Sequence, residues 1–195
     1  MGEKSYDLAG DIAAYQPKCE QEEVDRKLML SRLESDPNVF DRSSLAHFTC
    51  SAWAVDPTLS RVLMVYHNIY RSWSWVGGHA DGERDLASVT LRELAEETGV
   101  ADARVAQLPA GGIFSLEVLC VLGHERHGRY VGSHLHLNVT YLVVASTEER
   151  LREKPDENSG VRWVDLDDVC RLSSEPWMVE RVYRKLIAAT ESLRR

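Results

Sequence analysis

The segment Gly78–Val100 constrains this chain more than any other, because it sets three glutamates on one face of a single expected helix. The helix is predicted from Asp85, a capping side chain, to Thr98, with Gly99 as its stop signal. Within it Glu93, Glu96 and Glu97 stand at i, i+3 and i+4, so their carboxylates emerge together, with Arg92 beside them. Like charges so close repel unless a cation lies among them. Hard oxygen ligands in this number suit Mg²⁺, with Mn²⁺ as a second option. The plainer alternative for any one of these residues is a solvated helix face, since glutamate is a good helix former.

The same segment resembles the Nudix box: glycine, five residues, Glu, seven residues, then Arg-Glu-aliphatic-any-Glu-Glu-any-Gly-aliphatic. Gly78, Arg92, Glu93, Leu94, Glu96, Glu97, Gly99 and Val100 all fall in register. One position departs: the first Glu of the pattern falls on Arg84, and Glu83 lies immediately before it. The resemblance is strongest over about Leu45–Asp168. It implies an α/β/α sandwich around a mixed β-sheet and a Mg²⁺-dependent hydrolase cleaving a diphosphate in a small phosphorylated substrate. It further implies Glu96 and Glu97 as direct metal ligands, Glu93 as an additional ligand or proton acceptor, and Arg92 as an ion-pairing residue that holds the loop or the carboxylates. Gly78 and Gly99 would have backbone roles. Glu83 would support the site if the loop shifts by one residue.

The elements expected around the box agree with that architecture. Residues 7–33 read as one or two helices interrupted by Pro17, and residues 1–42 as a helical extension preceding a domain over 43–195. His47–Val55 and Arg61–Tyr66 read as a hairpin around Asp56-Pro57-Thr58, followed by a short extended Trp73–Val76. Further strands are predicted at Ile113–Leu122, His134–Val144 and Val161–Val164, with an exposed loop at His124–Gly132 and a terminal amphipathic helix over Pro176–Leu193.

A net charge of −8 argues against a nucleic-acid polymer or an anionic membrane as partner, yet leaves small phosphorylated ligands open through a metal. No apolar run reaches membrane-span length and the start lacks signal-peptide order, so a cytoplasmic location is expected. Cys19, Cys50, Cys120 and Cys170 show no zinc-binding spacing and read as ordinary thiols of a reducing compartment. An extra helical segment offers a contact surface, so a homodimer is allowed.

Outside the box, Glu157 in Asp156-Glu157-Asn158 precedes a strand. In parts of the family that resembles this chain the catalytic base comes from such a loop, so Glu157 is the candidate base, against a polar turn. His134 and His136 alternate with leucines and share one strand face; with His79, which follows the double glycine, they are candidates for substrate contact or ordinary hydrogen-bonded histidines. Trp73 and Trp75 are candidates to stack a planar group, core packing being the alternative for at least one. Two other functions stay open: an enzyme similar to isopentenyl diphosphate isomerase, using Cys50 or Cys120 with a Glu, and a nucleotide sensor that has lost chemistry. The sequence does not name the substrate.

Overall fold

The structure is a computed structural model that describes residues 6–126 and 128–194. His127, inside the stretch expected as a loop, lies outside the described residues, as do the first five residues of the extension and Arg195. The fold is α/β on a large mixed sheet, as expected. Ten strands are described: β1 (Ala46–Val55), β2 (Arg61–His67), β3 (Ser72–Ser74), β4 (Val76–His79), β5 (Ala103–Val105), β6 (Ile113–Val121), β7 (His124–Arg126), β8 (Arg129–Val131), β9 (His134–Ala145) and β10 (Asn158–Asp165). The hydrogen-bonded path runs β10-β2-β1-β9-β5, with β3 on β2, β4 on β1 and β6 on β9. All ten residues of β1 are buried, as a strand covered on both faces must be.

The chain divides into two compact units. The first takes in residues up to Cys50, Gly78–Val89 and Gln107–Thr140. It holds helices α1 (Leu8–Ala14) and α2 (Glu20–Ser35), separated at Pro17 as the sequence predicts. Of the apolar residues spaced along α2, Met29 is buried, but Val24 and Leu28 face solvent. Carboxylates do the docking instead. Fully buried Glu22 accepts from the hydroxyls of Tyr15 (3.0 Å) and Ser115 (2.8 Å), and Asp25 accepts from the Val118 amide of β6 at 3.0 Å. The stretch His124–Gly132 is also not a plain loop, because β7 and β8 pair as an antiparallel two-stranded ribbon with His124 opposite Val131.

The second unit comprises Ser51–Gly77, Thr90–Ala106 and residues from Tyr141 onward. Here β2 pairs antiparallel with β10 through Leu63–Trp163 and Val65–Val161, and a register shift between Asn158 and Val161 bends the start of β10. Two short helical turns, at Leu166–Asp168 and α4 (Val169–Leu172), lead to the C-terminal helix. That helix is one rod in sequence pattern but not in hydrogen bonding: α5 (Pro176–Met178) passes through a π turn at Val179–Tyr183 into α6 (Arg184–Leu193). Buried Trp53 anchors it, its indole N–H donating to Thr190 at 2.9 Å and its ring stacking on Tyr183.

Helix α3 (Leu86–Thr98) carries the three glutamates. Gly99 ends it with φ of +80°, and the Arg152 amide then donates to the Thr98 carbonyl at 2.8 Å. A Cβ on Gly99 would lie 3.2 Å from the Arg150 carbonyl oxygen. Gly99→Ala is therefore expected to lose about 1–2 kcal/mol in urea unfolding, from left-handed backbone strain and this close approach; a loss near zero would show that the closing segment yields freely.

Candidate active site

Side-chain packing fixes the rotation of α3. Asp85 caps its start, accepting from the Ser88 amide at 3.1 Å and the Ser88 hydroxyl at 2.7 Å. Leu86, Val89, Thr90 and Leu94 are buried, so one face is committed to packing. The carboxylates consequently sit at graded depths: Glu97 is 3% exposed, Glu93 is half-buried and Glu96 is exposed.

A second segment of the same unit meets this helix. Pro155 turns the chain tightly, with the amides of Glu157 and Asn158 both donating to the Lys154 carbonyl at 2.8 Å. Asn158 is completely buried and donates from Nδ2 to the Glu97 carbonyl at 3.0 Å, tying the turn to the end of α3. From the other side, the Glu157 carbonyl accepts the Asn68 amide at 3.0 Å. The result is a cluster of four carboxylates and two cations. The Lys154 ammonium lies 3.2 Å from Glu157 and 3.5 Å from Glu96, while the Arg92 guanidinium lies 4.0 Å from both Glu93 and Glu96.

The charges in this cluster are not balanced at its deepest point. Burial, then the negative charges of Glu157 and Glu93, push the Glu97 carboxyl up to about 8, against which Lys154 and the Gly77 amide act only in part. Burial and Glu96 likewise raise Glu93. Burial opposes the charge on Lys154, but its hydrogen bond to Glu157 and the surrounding carboxylates win, and its pKa rises. A buried carboxylate facing two like charges, with oxygen donors only, is the electrostatic setting that a hard divalent cation relieves. The donor set therefore fits Mg²⁺ or Mn²⁺.

The remaining sequence candidates fall elsewhere. Trp75 is buried with its ring edge-on to Tyr183, so it belongs to the core; Trp73 is half-buried, packed against Tyr66 and under the Arg162 guanidinium. In the first unit, Glu83 is exposed and its amide closes a turn to the Ala80 carbonyl at 2.9 Å, while Arg84 lies over the Phe40 ring at 4.9 Å. His79, His134 and His136 gather around His47, with each of the three ring centroids within 5.4 Å of that of His47. Burial, and then the neighbouring histidines, lower His136 to about 2, and burial lowers His47.

Lys154, Asn158 and His47 were not singled out by sequence. Pro155 was the one local signal for the turn that presents Lys154, and nothing in the spacing of His47 sets it apart from the strand it lies in.

The raised Glu97 has a consequence for stability. Its folded pKa of about 8 exceeds the ordinary value of 4.5, so the folded state binds this proton more tightly than the unfolded chain. The contribution is thus fully present below 4.5 and is lost as pH rises toward 8. Metal-free protein should lower its urea midpoint over that interval, and Mg²⁺ added at the alkaline end should restore it by binding only the folded state. A midpoint that rises with pH in the absence of metal would contradict the assignment.

The family model for the NUDIX domain matches residues 47–189. Among solved structures, a hydrolase of the NUDIX family from Clostridium perfringens aligns with a TM-score of 0.53 and 17% identity, over 75% of this chain and 97% of its own. A C. elegans Ap4A hydrolase, solved as a binary complex, aligns with a TM-score of 0.51 and 14% identity, over 75% and 96%. At such identities these likenesses are of fold. No curated protein matches the sequence significantly.

Proposed function

The chain belongs to the Nudix family of pyrophosphohydrolases, and from that premise we propose that it is a divalent-metal-dependent hydrolase cleaving the phosphoanhydride of a nucleoside diphosphate joined to another moiety. The observation that carries this reading is the clustering of Glu93, Glu96 and Glu157 with buried Glu97, whose carboxyl is pushed up to about 8 by burial and by its like-charged neighbours.

Glu96 and Glu97 would hold Mg²⁺ or Mn²⁺, with Glu93 as a further ligand. Once bound, the ion supplies charge neutralisation on the nonbridging phosphate oxygens and orientation of the attacking water. Glu157 accepts the proton from that water. Its position is set by the Lys154 turn, whose ammonium holds the carboxylate at 3.2 Å and whose backbone is tied through Asn158 to α3. Arg92, at 4.0 Å from two of the helix carboxylates, restrains them without neutralising either fully.

Two variants separate these roles. Glu97→Gln should retain the fold and lose turnover by at least about 100-fold, since it removes a ligand where negative charge is in excess; unchanged activity would remove the site assignment. Glu157→Gln should lower kcat by about 10²–10⁴-fold, the range of a lost general base, while Mg²⁺ affinity stays nearly constant. Parallel loss of metal binding would make Glu157 a ligand instead.

The substrate is tested by product release from nucleoside diphosphate sugars, dinucleoside polyphosphates, nucleoside triphosphates and coenzyme A, with Mg²⁺, Mn²⁺ or chelator. Dinucleoside polyphosphates belong in the set because one protein of similar fold is named an Ap4A hydrolase. Chelator-sensitive release from one class identifies the substrate; metal binding without release from any class would overturn the hydrolase reading.

A further inference from the structure

The first unit contains a second group of ligating side chains, and its donor atoms are nitrogens. His47 is 2% exposed, and its Nδ1 lies 2.8 Å from the Ser44 carbonyl oxygen. A carbonyl accepts only from N–H, so Nδ1 carries the proton and Nε2 presents a lone pair. That buried Nε2 has no hydrogen-bond partner. A buried acceptor in this condition is uncommon in a native interior and calls for an explanation.

The neighbours of that lone pair are further imidazoles. One ring nitrogen from each of His47, His79 and His136 lies within 4.8 Å of the other two. His134 has the same tautomer as His47, with Nδ1 2.8 Å from the Gly132 carbonyl oxygen, so its Nε2 also presents a lone pair, 3.1 Å from Nε2 of His136. The strands that place them are paired in one sheet, β4 and β9 both on β1. His47 is the second residue of β1, His79 closes β4, and His134 and His136 share one face of β9, where the period of two keeps both rings on the same side.

We propose that His47, His79 and His136 form a binding site for a transition-metal ion of the Zn²⁺ class, with His134 placed to complete a tetrahedral set. Zn–N bonds of about 2.0–2.1 Å put ligand nitrogens about 3.3 Å apart in a tetrahedron. In the metal-free chain the 3.1 Å contact is a hydrogen bond from His136 Nε2–H to the His134 lone pair; a bound ion would take the place of that proton, drawing in ring nitrogens that already lie within 4.8 Å of one another. Imidazole nitrogen selects Zn²⁺, Cu²⁺, Ni²⁺ or Fe²⁺ over Mg²⁺. The Ser44 and Gly132 carbonyls supply the second hydrogen bond by which a metal-ligating histidine is held in its tautomer. The exposed ion pair of Asp81 with Arg42, at 2.6 Å, lies in the same unit and adds a fixed carboxylate to the loop that follows His79.

The site is tested on the full chain after chelator treatment, by titration with Co²⁺ followed by Zn²⁺. The double variant Glu96→Gln, Glu97→Gln removes the carboxylate ligands as a competing site. One equivalent of Co²⁺ should develop the intense visible absorption of tetrahedral nitrogen coordination, be displaced by Zn²⁺, and persist in the glutamate variant. His79→Ala, at a partly exposed position, should weaken Co²⁺ binding by at least about 100-fold with the far-UV circular dichroism unchanged, and His136→Ala should do the same. The proposal is overturned if wild-type protein shows no tetrahedral Co²⁺ spectrum. It is equally overturned if the spectrum survives His79→Ala or vanishes in the glutamate variant. None of these readouts depends on diphosphate hydrolysis.

Discussion

Glu97 cannot easily be ionised where the fold puts it, and much of the second unit is arranged around that fact. Its side chain is 3% exposed, Glu93 and Glu157 repel its charge, and the opposing Lys154 and Gly77 leave its pKa at about 8. The left-handed Gly99 and the fully buried Asn158 each hold a backbone position that keeps those carboxylates together. Natural proteins retain such unfavourable concentrations of charge where a ligand compensates them. In the function proposed above the compensating ligand is a divalent cation, through which the substrate phosphates would bind.

The box itself was legible because its information is local. A helix period, a capping Asp and a stop glycine lie within the one segment, and the positions of Arg92, Glu93, Glu96 and Glu97 on one face follow from 3.6 residues per turn. The principal strands were legible for a similar reason, since runs such as Val62–Val65 carry β-branched and apolar side chains bounded by turn residues. Local pattern failed where packing or hydrogen bonding at long range decided the outcome. On α2 the apolar Val24 and Leu28 face solvent, and it is Glu22 and Asp25 that reach β6 nearly a hundred positions along the chain. The β7–β8 ribbon was read as loop because its composition is polar, and polar composition does not forbid a short exposed ladder.

Two of the most informative residues were illegible for the same physical reason. Lys154 becomes part of the carboxylate cluster only through a turn that folds onto the end of α3, and His47 becomes a ligand candidate only because its Nδ1 is taken by Ser44 and its Nε2 is left facing other imidazoles. Neither property is periodic in sequence. The departure at Arg84 has a local use as well, its guanidinium resting on the Phe40 ring. The two donor sets divide by chemistry: oxygens within the second unit suit a hard cation, and nitrogens within the first suit a softer one.

The central claim is that Glu97 holds a proton in the metal-free protein and gives it up to a divalent cation. The direct measurement is calorimetric titration of Mg²⁺ into the chelator-treated chain near neutral pH, repeated in buffers of different ionisation enthalpy to count protons released per ion bound. Release of about one proton, absent in Glu97→Gln, is predicted because a ligating carboxylate must be deprotonated. Mg²⁺ binding with no proton release, or release undiminished in Glu97→Gln, would contradict the account.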